Sequence, residues 1–124
     1  MNPITAFGAY LKRLRIARGI TLREFCEAHK FDPGNYSRLE RGLIAPPQRE
    51  DLIERYAAAL GLQRDSDAWI ELFDMAAASR GEIPKDLMED GKLVGKLPAL
   101  FRTLRGTPVD GDKIDALVDE IRKN

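Results

Sequence analysis

Thr21–Gly42, TLREFCEAHKFDPGNYSRLERG, contains two helix starts and two helix stops within one short span, and its reading decides the fold. Thr21 stands as an N-cap, and Glu24, three residues on, occupies the position that completes a capping box. The helix predicted behind it is short, Leu22 to His29, and turns Leu22 or Phe25 inward together with Cys26. Asp32-Pro33 then supplies a cap followed by proline at the first helical position, where its missing N–H costs nothing. A second short helix is predicted from Pro33 to Arg41, stopped by Gly42.

Working outward, Ala6 to Arg18 carries Phe7, Leu11, Leu14 and Tyr10 on one side, with Lys12, Arg13 and Arg15 interrupting them at helical spacing. That helix stops at Gly19. Downstream, Ala45-Pro46-Pro47 reads as a stiff turn. A helix from Glu50 to Leu60 follows, with Leu52, Ile53, Tyr56, Ala57 and Leu60 inward and Gly61 as its stop. Asp67 to Ser79 makes a fifth, carrying Trp69, Ile70, Leu72, Phe73 and Ala76. Ile83 through Gly95 is broken by proline and glycine and is expected to be loop with a short helical turn. The last helical candidates are Leu97 to Leu104 and Lys113 to Arg122, the latter capped by Asp112. The expectation is an all-α chain, with a five-helix domain over residues 1–79 and a helical extension over residues 80–124.

Composition narrows the function classes. With 124 residues the chain holds one domain and a short appended element, too little for a catalytic α/β domain with a cofactor crevice. Hydrophobic residues at 44% and charged residues at 32% describe a globular chain rather than a disordered one. No stretch approaches the length of a membrane span, and the N-terminus lacks the pattern of a secretory signal, so a cytoplasmic location is expected. A single cysteine, Cys26, leaves no internal disulfide, and its apolar setting favours packing over reactivity. A single histidine, His29, cannot seed a Cys/His zinc site, and no nucleophile or orienting group stands near it at helical spacing. It reads as a half-buried histidine at a helix end. The acidic pairs Glu89-Asp90 and Asp110/Asp112 lack the spacing of a calcium loop and read as caps. No phosphate loop, nucleophile elbow or metalloprotease helix is present. The chain is therefore expected not to be an enzyme, with no catalytic residues, no metal and no cofactor.

The 20 basic and 20 acidic residues cancel, but not locally. Residues 1–60 hold 10 Lys/Arg against 7 Asp/Glu, and residues 61–124 hold 10 against 13. Such polarity permits a nucleic-acid face at the front of the chain. Two short helices joined by a turn of about three residues form the unit that lays its second helix in the DNA major groove.

With Ser37-Arg38-Leu39-Glu40-Arg41-Gly42 set behind Arg15-Ile16-Ala17-Arg18-Gly19-Ile20-Thr21, the segment resembles the helix-turn-helix of the phage-repressor-like family, also called the xenobiotic-response-element or Cro/C1-type family. The resemblance extends upstream through LKRLRIARGI and downstream through the helix at Glu50, covering residues 7–62. It implies a DNA-binding transcriptional regulator, a repressor that acts as a homodimer on a palindromic operator in double-stranded DNA. Pro33, Gly34 and Arg38 then correspond to base-reading positions, with Asn35 and Ser37 beside them. Arg38 offers a fork to guanine O6 and N7, and Asn35 an amide to adenine. Thr21 and its helix start would meet a phosphate, with Arg23, Arg41 and Arg13 as further cations. Arg15 and Glu40 are expected to form an internal ion pair, similar to one common in the family.

Departures from the family pattern carry information too. Pro33 and Gly34 stand where relatives have long polar side chains, so direct readout there is poor. His29 replaces a buried aliphatic residue, and Lys30 replaces a turn glycine, where positive φ would cost about 1–2 kcal/mol. Leu43-Ile44-Ala45 is apolar where relatives place basic phosphate contacts, and suits packing or a protein contact.

In the extension, Leu97, Leu100, Phe101 and Leu104, with Ile114, Leu117, Val118 and Ile121, offer an apolar surface that either pairs with a second copy or folds back on the monomer. The arrangement is also similar to antitoxins of bacterial toxin–antitoxin pairs. In that reading the acidic tail would complement a small basic toxin protein; a further alternative is an interaction module with weak DNA binding, to which Pro33, Gly34 and the uncharged Leu43–Ala45 stretch point.

Overall fold

The computed structural model describes residues 2–106 and 115–116, and every regular element among them is an α-helix. Five helices lie in a first compact unit that ends at Pro84: α1 (Pro3–Ala17), α2 (Leu22–His29), α3 (Pro33–Glu40), α4 (Glu50–Ala59) and α5 (Asp67–Ser79). A second unit begins at Lys85 and contains α6 (Lys85–Met88) and α7 (Gly91–Gly106). The expected all-α class is borne out.

Helix starts follow their caps. Thr21 Oγ1 accepts the Glu24 N–H at 3.2 Å, Asp32 Oδ2 accepts the Asn35 N–H at 2.8 Å, and Ser66 Oγ accepts the Trp69 N–H at 3.3 Å. Each satisfies a backbone donor that the first helical turn leaves open. The expected start of the first helix, Ala6, is too late by three residues. Asn2 Oδ1 accepts the Thr5 N–H and Pro3 takes the first helical position, so capping rather than the apolar pattern sets the boundary.

The core of the first unit gathers Phe7, Leu11, Phe25, Cys26, Tyr36, Leu39, Ile53, Tyr56, Leu72 and Ala76. Leu22, Leu14, Trp69 and Phe73 are half-buried against it. Ile70, expected inside, is 41% exposed. Leu72 and Ala76 mark the inward line of α5, and Ile70 lies about 200° of helical rotation from Leu72, on the far side. His29 is likewise exposed rather than half-buried, its ring 5.1 Å from that of Phe25. Phe31 fills the cover over this cluster that the histidine does not, with its ring 5.0 Å from Tyr56 and nearly parallel to Tyr36.

The turn between α2 and α3 places Lys30 at φ 59° and ψ 42°, the left-handed conformation for which glycine is suited. Its neighbours close the turn regardless, since the Phe31 N–H donates to the Cys26 carbonyl at 3.0 Å. The strain is borne because the buried Phe25 and Cys26 on one side and Tyr36 on the other hold both flanking helices.

The segment Ile83–Gly95, most of it in the second unit, is more helical than expected. Asp90 Oδ1 accepts the N–H groups of Lys92 and Leu93, and α7 starts at Gly91 and passes through Gly95 and Pro98 to Gly106. Glycine and proline disfavour a helix interior by about 1 and 3 kcal/mol. The apolar series Leu93, Val94, Leu97, Leu100, Phe101 and Leu104 continues across both, and neither interrupts its spacing. Of the predicted apolar surface, Leu97, Leu100 and Leu104 are half-buried and Phe101 is 41% exposed. Ile114, Leu117, Val118 and Ile121 lie outside the described residues, as does the predicted helix of Lys113 to Arg122 apart from residues 115–116.

Two positions join the helices more tightly than the sequence pattern suggested. At Gly8 of α1, a Cβ would run into the carbonyl oxygens of Leu39 and Glu40, so the end of α3 rests directly on the α1 backbone. Tyr36 of α3 is buried among the rings of Phe25, Phe31 and Tyr56, and its hydroxyl is the one buried side-chain polar atom without a partner among the described residues.

Gly8→Ala is expected to lower stability by about 1–3 kcal/mol in urea denaturation despite the better helix propensity of alanine, because backbone must move to admit the methyl group. Tyr36→Phe is expected to raise the melting temperature, since it removes an unpaired hydroxyl whose burial costs about 1 kcal/mol or more. Burial also pushes the Tyr36 phenol above its usual 10.0. The unfolded chain therefore releases that proton first, so stability is complete below pH 10 and declines as pH rises above it. A shallower alkaline decline in Tyr36→Phe than in the parent would be the signature; an identical decline would contradict this assignment.

Candidate nucleic-acid interface

The inward face of α3 is set by Tyr36, Leu39 and Glu40, all buried. At about 100° per residue, Gly34, Arg38 and Arg41 then lie on the opposite, outward face, with Asn35 and Ser37 on its two flanks. Pro33 begins the helix and is turned toward its inward side. Pro33, Gly34, Asn35, Arg38 and Arg41 are exposed, and Ser37 is half-buried. Of the five base-reading candidates, Gly34 and Arg38 therefore share the centre of the exposed face.

The Arg38 guanidinium makes no hydrogen bond or ion pair among the described residues. Its Nη1 lies 3.6 Å from the point where a Cβ on Gly34 would stand, so the guanidinium reaches back along the helix over the bare glycine. Arg41, one turn further on, is partly engaged, its Nε donating to the Ser37 carbonyl at 3.4 Å.

The phosphate-contact candidates are scattered. Thr21 is exposed at the start of α2, and because its Oγ1 accepts the cap bond its hydroxyl proton remains available to donate. Arg23 is exposed and has no ion pair among the described residues, on a helix surface that also presents Glu24 and Glu27. Arg13 is not brought to α3. It lies about 140° around α1 from Gly8, with its guanidinium 5.3 Å over the ring of Tyr10. Tyr10 in turn donates to the Ala68 carbonyl at 3.3 Å, at the junction with α5.

The orientation of α3 depends on Arg15 and Glu40. Arg15 Nε donates to Glu40 Oε2 at 2.8 Å and Nη2 to Oε1 at 2.9 Å, a two-pronged pair buried between α1 and α3. The third guanidinium nitrogen donates to the Ile20 carbonyl at 2.8 Å, which adds the turn before α2 to the same knot. The bonds to Glu40 hold the guanidinium proton more firmly than in free arginine. Gly8 and Tyr36, which the sequence reading did not single out, belong to this support. A signal existed, since Gly8, Leu11 and Arg15 recur at helical spacing on one face of α1.

Beyond α3 the chain turns sharply. Gly42 has φ +71°, and a Cβ there would stand 2.9 Å from the Thr5 Cα, so both conformation and space require glycine. The next residue, Leu43, donates its N–H to the Arg38 carbonyl and leaves its side chain 61% exposed, while Ile44 packs on the core.

No group of three or more potential metal ligands occurs among the described residues, and none of their helices is long and apolar enough to cross a membrane. Comparison with known proteins supplies a family. Residues 6–69, just over half of the chain, match a family described as helix-turn-helix domain. The chain is also similar to the crystal structure of the clp gene regulator ClgR from C. glutamicum, at 33% identity and a TM-score of 0.47, over 64% of this chain and 94% of that one. No curated protein matches the chain.

Removing one partner of the Arg15–Glu40 pair leaves a buried charge alone. Arg15→Met is expected to cost about 3–5 kcal/mol in urea denaturation, and Arg15→Met/Glu40→Leu to recover most of that loss. A double variant as weak as the single one would show that the pair is not the source of the cost.

Proposed function

The chain belongs to the helix-turn-helix domain family, a family of DNA-binding transcription regulators and not of enzymes, and from that premise we propose that it is a repressor acting as a homodimer on a palindromic operator. The observation that carries the reading is the outward face of α3, where the Arg38 guanidinium stands exposed with no partner among the described residues. A guanidinium in that state offers two parallel donors to guanine O6 and N7 without first breaking an internal bond.

α3 enters the major groove, and Arg38 reads bases while Asn35 and Ser37 reach the groove walls on either side. Thr21, Arg23 and Arg41 meet phosphates and fix the register. One eight-residue helix contacts too few bases for a unique site, so two copies bind half-sites about one helical turn apart. The extension supplies the contact between copies, with Leu97, Leu100, Phe101 and Leu104 of α7 as its described part.

The test is selection from a random duplex library, followed by salt-titrated binding and sedimentation of the complex. The expected product is a palindromic site bound by two chains. Arg38→Ala should weaken that site by about 5- to 150-fold while leaving the melting temperature unchanged. Binding that prefers no sequence at any salt concentration, or a preferred site indifferent to Arg38→Ala, would refute the reading.

A further inference from the structure

We propose that Gly34 is a specificity-determining residue: by leaving the first turn of α3 bare, it gives that surface to the Arg38 guanidinium, so that each half-site is read mainly through one guanine. This rests on the reading of α3 as the helix that enters the groove.

The other tightly placed glycines have structural reasons, and Gly34 has none. Gly42 requires left-handed backbone and close approach, and Gly8 requires close approach alone. Gly34 has no left-handed φ, and no backbone atom is among the nearest neighbours of a Cβ built on it. Its nearest neighbours outside the helix's own backbone would be Asp32 Oδ2 at 3.5 Å and the two terminal nitrogens of Arg38 at 3.6 and 4.0 Å, all ordinary contact distances. What the missing side chain leaves free is the path of Arg38.

Residues 34 and 38 are one turn apart on the same face, so a long side chain at 34 would occupy the place where the guanidinium lies. It would also bring its own donors or acceptors to the neighbouring base pair. Pro33 contributes no polar group, and Asn35 and Ser37 stand on the flanks. Arg41 shares this face but its Nε is turned back to the Ser37 carbonyl, which leaves Arg38 as the strongly hydrogen-bonding side chain over the first turn.

The full-length parent, Gly34→Ala, Gly34→Gln and Arg38→Ala are compared by selection from a random duplex library and by thermal melting. The parent motif is expected to contain one dominant guanine per half-site, whose replacement weakens binding about tenfold or more, with neighbouring positions tolerant. Gly34→Ala should keep that motif, since its methyl group meets Arg38 at ordinary contact distance. Gly34→Gln should melt no lower than the parent and retain low-salt binding to unrelated duplex, yet lose most of the dependence on that guanine. The proposal is overturned if the parent half-site has several equally strict positions, if Gly34→Gln keeps the full guanine dependence, or if it loses unselective binding as well. A motif that survives Arg38→Ala, or no motif from the parent, instead overturns the underlying reading of α3, and with it this proposal.

Discussion

The two-pronged ion pair between Arg15 and Glu40 is the constraint on which the rest of the first unit depends. A charged pair withdrawn from water gains little net stability, because desolvation offsets most of its attraction. Its value here is directional. Guanidinium and carboxylate meet in one plane at one spacing, so α1 and α3 are locked in rotation as well as in distance, and the third nitrogen adds the turn at Ile20. Gly8 allows the two backbones to close until the α3 carbonyls rest on α1. Neither feature acts without the other: a side chain at position 8 would hold the helices apart and stretch the pair.

This lock decides which side of α3 faces outward. With Glu40 drawn toward α1 and Tyr36 and Leu39 sunk among aromatic rings, the remaining face presents Gly34, Arg38 and Arg41. A helix of eight residues has too few turns to orient itself by its own stability. Its rotation is settled entirely by what it buries. The same burial sustains Lys30 in a left-handed turn and an unpaired tyrosine hydroxyl in the core. The unit thus tolerates local cost on both sides of the turn into α3, where burial holds the flanking helices.

Much of this was legible beforehand, because capping and helical spacing are short-range. The bounds of α2 and α5, the start of α3, and the inward positions of Phe25, Cys26 and Leu39 follow from Thr21, Asp32, Ser66 and the apolar pattern, all within a few residues. The start of α1 was misplaced because Asn2 and Pro3 act before the apolar pattern begins. The break expected over Ile83–Gly95 did not extend to Gly95, because propensity is a weak signal against a continuous apolar stripe capped by Asp90. Ile70 is expected inside and His29 half-buried, but both are exposed, because a local pattern does not say which helix will arrive to cover a face.

What the sequence by itself determined is the set of helices, their caps and the identity of the turn, since each depends on hydrogen bonds and side-chain spacing internal to a short segment. What only the tertiary structure decided is how those helices meet. The role of Gly8, the burial of Tyr36, the separation of Arg13 from the reading face and the path of Arg38 over Gly34 all depend on contacts between residues brought together by folding, or on the rotation those contacts impose. Local signals are carried by the chain wherever it lies, whereas close packing is a property of two surfaces and comes into being only when both are present.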